Sequence, residues 1–142
     1  MARYIVAIAL GVLVLDAASK AVALALASRH YGRGVILPVQ NSDFSLSVAS
    51  ADFPTMLVLS LLGIVVFGGY TCSAAARRTL PAWIPGLLVG GGIANLADRM
   101  VFGAVHDWLD QGKVVVNLAD LAVLAGLVGY FASLAITGRR RL

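Results

Sequence analysis

Tyr4-Ile-Val-Ala-Ile-Ala-Leu-Gly-Val-Leu-Val-Leu-Asp16-Ala-Ala-Ser-Lys20-Ala-Val-Ala-Leu-Ala-Leu-Ala27 holds two charged side chains in an otherwise almost wholly apolar run. A helical crossing of a bilayer needs about 20 such residues, so this stretch is long enough to span one. Three more apolar stretches follow, at about 55–76, 80–97 and 118–137. The chain has 142 residues, 60% hydrophobic and 13% charged, far more apolar than a soluble domain of this size keeps in solution. The expected fold is an all-α membrane protein of four transmembrane helices in a single polytopic domain, residues 1–142. Extracytoplasmic segments are expected at about 28–54 and 98–117, and the first of them is the β-rich one. There Val35-Ile-Leu-Pro-Val-Gln40 and Phe44-Ser-Leu-Ser-Val48 flank the turn-forming Asn41-Ser-Asp43.

Arginine placement sets the expected orientation, because basic residues near span ends stay on the cytoplasmic side. Arg3, Arg77, Arg78 and Arg139 to Arg141 fall on one side of the four-span arrangement. Arg29, Arg33, Arg99 and Lys113 fall on the other, mixed with Asp43, Asp52, Asp98, Asp107 and Asp110. Both termini are therefore expected inside. The net charge of +4 follows from this topology, and no interleaving of aromatic and basic residues suggests a nucleic-acid partner. The first span is too long, and too charged at Asp16 and Lys20, for a cleaved signal peptide. The single Cys72 lies within the second span and reads as packing.

Ionisable groups are expensive inside a membrane and usually face a polar interior. All seven acidic residues are Asp, and their spacing is informative. Asp16 and Lys20 share a helix face at i and i+4, with the acid first, which suits an ion pair. Asn95, Asp98 and Arg99 form one polar face at the end of the third span, and Asn117 and Asp120 repeat the i, i+3 pattern at the start of the fourth. Asp107 lies between them. Two carboxylates at a membrane rim cannot both ionise cheaply, so they would share one proton, the equipment of aspartic proteolysis.

Other hydrolytic sites fit poorly. Ser19 and Lys20 are adjacent and point about 100° apart on a helix. His30 and His106 read as surface histidines outside the spans, without a Gly-x-Ser-Gly element. Two scattered histidines do not make a zinc site, and no Gly-x-Gly-Asp occurs. A small four-span ion- or proton-coupled transporter is the alternative reading of the intramembrane Asp and Lys, although most of the acids gather at one edge rather than at mid-membrane.

Asp16-Ala-Ala-Ser-Lys20, Asn95-Leu-Ala-Asp98-Arg99, Gly103-Ala-Val-His-Asp107-Trp108 and Asn117-Leu-Ala-Asp120, in this order among four apolar spans, resemble the bacterial lipoprotein signal peptidases, or signal peptidase II. The resemblance covers almost the whole chain. It implies a monomeric aspartyl endopeptidase of the cytoplasmic membrane, its site on the outer face, which removes signal peptides from prolipoproteins by cutting before the diacylglyceryl-modified cysteine. It implies Asp107 and Asp120 as the catalytic dyad, with Asn95, Asp98, Arg99, Asn117, Asp16, Lys20 and Asn41 as supporting or substrate-binding residues. It implies no cofactor and no metal, and prolipoproteins and membrane lipid as partners. The chain departs from the family pattern in the short Asn41-Ser-Asp-Phe44-Ser45 stretch, in Trp108 and Val116 where Phe is usual, and in a short stretch from Asp107 to Asp120.

Overall fold

The computed structural model describes residues 1–28, 36–41 and 52–139. Arg29, His30, Arg33, Asp43, Phe44, Ser45, Arg140 and Arg141 lie outside the described residues. Helix α1 (Ala2–Ser28) is followed by strand β1 (Ile36–Asn41). Then come α2 (Phe53–Leu62), a π-helical stretch (Gly63–Gly68) and α3 (Gly69–Ala76), which continue one another as a single apolar rod. Helix α4 (Trp83–Phe102), strands β2 (Val105–Asp110) and β3 (Val115–Val116), and helix α5 (Leu118–Arg139) complete the order.

Helix α4 tolerates Pro85 because a first-turn N–H has no intrahelical partner to lose. It stops at Gly103, whose φ of +77° is the left-handed conformation a helix end favours, and whose N–H donates to the Arg99 carbonyl at 2.9 Å. The helix thus runs past Ala97 and carries Asp98 and Arg99 within its last turns.

Among the described residues, three helical stretches are long and apolar enough to cross a membrane: Ala2–Ala27, Phe53–Ala76 and Leu118–Ile136. Helix α4 is not among them, although a four-span reading requires it. Its 20 residues include Asn95, Asp98, Arg99 and the Gly90-Gly91-Gly92 run, which dilute its apolar character. It packs between α1 and α5 instead of presenting an apolar surface all round. Glycines make that packing close. A Cβ at Gly90 would lie 2.8 Å from the Ala9 Cα of α1, one at Gly91 2.5 Å from the Ala119 carbonyl oxygen of α5, and one at Gly92 2.8 Å from the Ile64 side chain. The run Gly90 to Gly92 therefore serves packing within the chain, on three sides of α4. Large apolar side chains such as Leu10, Val14, Val65 and Val128 remain exposed along the outer helices, a surface suited to lipid.

The strands form one antiparallel sheet in the order β1-β2-β3. Asn41 stands opposite Val105, Gln40 opposite His106 and Val39 opposite Asp107, with an irregularity between Ile36 and Val39, where Pro38 supplies no N–H. The strand expected around 35–40 is present. Among the described residues its partner is Val105–Asp110, in the second extracytoplasmic segment, for which no strand was expected; the run at 44–48 lies outside the described residues. The pairing is non-local, which the spacing along the chain does not reveal.

Candidate active site

Four elements converge where α4 ends and α5 begins. Asn117 is fully buried and immediately precedes α5. Its Oδ1 accepts the Asp120 N–H at 2.8 Å, and its own N–H donates to Asp120 Oδ2 at 3.3 Å. This is a reciprocal N-terminal cap, with Asp in the place usually held by Glu. The cap fixes the Asp120 side chain as a by-product of starting the helix, and a carboxylate in the first turn also faces the positive end of the helix dipole.

The Asn117 amide does more than cap. Its Nδ2 donates to Asp107 Oδ1 at 2.7 Å and to Asn95 Oδ1 at 3.1 Å. Asn95 Nδ2 in turn donates to Asp120 Oδ1 at 2.7 Å. From the sheet, Asn41 Nδ2 donates to Asp107 Oδ2 at 2.9 Å. Asp107 and Asp120 are thus joined through one asparagine, and every carboxylate oxygen of the two accepts a hydrogen bond. Burial pushes the Asp107 carboxyl above the ordinary carboxylate range; the Asn41 and Asn117 amides and Lys20 act against this, while the nearby Asp120 charge reinforces it.

A second layer holds these parts together. Lys20 Nζ lies 2.5 Å from Asp16 Oδ2 and 2.9 Å from Asp98 Oδ2. Asp16 Oδ1 accepts the Ala119 N–H at the start of α5 at 2.9 Å, and Asp98 Oδ2 accepts the His106 N–H at the start of β2 at 3.0 Å. One lysine on α1 therefore ties together the segments that carry Asp107 and Asp120. Arg99 is buried beside the same carboxylates, its Nη1 donating to the Asn95 carbonyl at 3.3 Å. All nine candidate residues fall into this one connected group.

Three residues given no role in the site from the sequence take part. Trp108 Nε1 donates to Ser19 Oγ at 3.2 Å, and Ser19 Oγ donates to the Asp16 carbonyl at 2.8 Å. His106, expected at the surface, is half-buried because it packs against Asp98 and Phe102, with Nδ1 3.5 Å from Asp98 Oδ2 and its ring edge-on to Phe102. The Asn-x-x-Asp spacing before an apolar run was the available sign of the cap. Nothing in the spacing marked Ser19 or Trp108, whose contact joins residues 89 positions apart.

Substituting Lys20 by Ala is expected to leave Asp16, which is almost wholly buried, and Asp98 without their cation. Removing one partner of a buried ion pair costs about 3 kcal/mol or more. Reduced accumulation in membranes and a lower unfolding temperature in detergent are expected, with residual cleavage by the protein that remains. Normal stability with complete loss of cleavage would assign Lys20 a direct chemical role instead.

The family model described as signal peptidase (SPase) II matches residues 8–136. The chain belongs to the signal peptidase II family. It is 31% identical over 136 residues to the lipoprotein signal peptidase of Syntrophomonas wolfei, with 91% of each chain covered. It is 33% identical over 134 residues to that of Tolumonas auensis, covering 82% of this chain and 80% of the relative. A bacterial membrane enzyme solved by the in meso method at 2.3 Å superposes with a TM-score of 0.80 over 97% of this chain and 91% of the other, at 18% identity, a likeness of fold. The protein is accordingly a membrane-embedded aspartic peptidase of that family. The transporter alternative finds no support in these comparisons.

Proposed function

We propose that Asp107 and Asp120 are the catalytic dyad, and that the protein cleaves prolipoproteins just before a diacylglyceryl-modified cysteine. The observation that carries this reading is the bridging of the two carboxylates by Asn117, beside a cavity of about 430 Å³ that Asp107 and Asn41 help to line. Burial of Asp107 and repulsion from Asp120 favour retention of one proton by the pair. The ionised carboxylate takes a proton from water as the water attacks the scissile carbonyl, while the protonated one donates to the carbonyl oxygen. As the tetrahedral intermediate collapses, the carboxyl that took the water's proton gives it to the departing amine while the other carboxylate takes a proton from a hydroxyl of the intermediate, so the dyad again holds one proton. Asn41, Asn95 and Asn117 orient the carboxylates; Asp98, Arg99, Asp16 and Lys20 fix the segments that bear them.

In this reading the chain crosses the inner membrane four times, with α4 as the third crossing and both ends cytoplasmic. Asp107, Asp120 and the sheet then lie at the outer surface. The lipid tails of the substrate stay in the bilayer and only its peptide reaches the carboxylates. The chain acts as a monomer, since all nine residues come from one copy.

The purified protein is expected to cleave a diacylglyceryl prolipopeptide in detergent and to leave the unlipidated peptide largely intact. Equal cleavage of both would contradict the substrate assignment. Failure to cleave either, together with ion flux in liposomes, would contradict the enzyme reading.

A further inference from the structure

The cavity beside Asp107 has features that the hydrolytic step does not use. Its walls are Leu37, Val39 and Gln40 of β1 on one side, and the tip of the β2–β3 hairpin on the other, with Asp110, Lys113 and Val114 among its lining residues. Asp107 and Asn41 line the same cavity. The hairpin tip is held in place: Gln111 N–H donates to the Val114 carbonyl at 2.9 Å, Gly112 takes a φ of +83°, and Gly112 N–H donates to Asp110 Oδ1 at 2.7 Å. The Asp110 carboxylate is thus engaged by the turn. Lys113 is exposed, and among the described residues its side chain makes no hydrogen bond or ion pair. A hydrogen-bonded turn thus holds an unpaired cation on the wall of a mixed polar and apolar trough that Asp107 also lines.

The trough belongs to the sheet, beyond the ends of α4 and α5, so it is outside the apolar layer. A substrate anchored in the bilayer by an apolar signal segment and by lipid tails has one part that belongs there, the polypeptide that follows the cut. We propose that Lys113 makes the enzyme selective among prolipoproteins by favouring acidic residues in the first few positions after the cleaved bond. The inference rests on the peptidase reading above. A charge at the rim of an interface acts chiefly on encounter and selectivity and is screened by salt, so the preference belongs in kcat/KM at low ionic strength.

The test uses two diacylglyceryl prolipopeptides in a neutral detergent, identical except for two Asp or two Lys within the four residues after the cysteine. Wild type is expected to cleave the acidic peptide about 3- to 10-fold more efficiently at low salt, the range of one or two exposed charge contacts. The ratio is expected to fall toward one at high salt, to be lost in Lys113→Ala and to invert in Lys113→Glu. Both variants alter an exposed turn side chain, and wild-type unfolding temperatures check their folding. Equal cleavage of the two peptides by wild type, or a preference unchanged by Lys113→Glu, overturns the inference while leaving the peptidase reading intact. An effect of Lys113→Glu that appears only in anionic lipid vesicles and is the same for both peptides also overturns it, assigning Lys113 to the membrane surface. Cleavage of neither peptide by wild type is the distinct failure of the peptidase reading.

Discussion

Asp107→Asn and Asp120→Asn are each expected to lower kcat for a diacylglyceryl prolipopeptide by at least about 10³-fold, since each removes a group that must both take and give a proton. The substitutions keep volume and shape, and their structural cost is limited. Asp107 accepts from Asn117 and from Asn41, and Asp120 accepts from Asn95 and from the Asn117 N–H. An amide in either place turns one acceptor into a donor facing another donor, a loss of about 1 kcal/mol or somewhat more. Both variants are therefore expected to accumulate in the membrane near the wild-type level. Full activity of either purified variant would contradict the dyad.

Asn117→Ala is expected to have the second largest effect, because this residue serves the helix and the site at once. The change removes the side-chain half of the cap, worth about 1 kcal/mol. It also leaves Asp107 Oδ1 and Asn95 Oδ1 each without a buried donor. A stability loss of about 3 kcal/mol is expected, together with a fall in kcat on the order of 10²-fold from misplacement of the carboxylates. Asn117→Gly separates the two parts, since Gly costs only a few tenths of a kcal/mol at a helix N-cap. It is expected to recover part of the stability but not the rate. A near-normal rate in Asn117→Gly would show that the bridge between Asp107 and Asp120 is dispensable.

The parts of the site that were legible in the sequence are those that helical geometry makes local. Asn95 with Asp98, Asn117 with Asp120, and Asp16 with Lys20 are pairs three or four apart, and charged or amide groups at such spacing in apolar runs stand out. The convergence of these pairs was legible only through the resemblance, because it depends on how α1 and α5 pack against α4. Small residues decide that packing: Gly90 admits Ala9, and Gly91 admits the Ala119 carbonyl, which brings α5 close enough for Asn117 to reach Asn95.

The sheet was only half legible. The β-branched Val35, Ile36 and Val39 mark β1 despite Pro38, but its register with Val105–Asp110 arises from a pairing across more than sixty positions. The role of Lys20 was likewise half visible. Its i, i+4 partner Asp16 was evident, whereas Asp98 comes from another helix. That second contact turns a local ion pair into a tie between the two carboxylate-bearing segments.

The most direct test is to compare kcat for one lipidated substrate among wild type, Asp107→Asn, Asp120→Asn and the double variant, each checked for folding. Two groups that share one proton and act as a unit lose their function together, so the double variant is expected to be no slower than either single one. Losses that multiply in the double variant, or substantial activity in a single one, would contradict the shared-proton dyad.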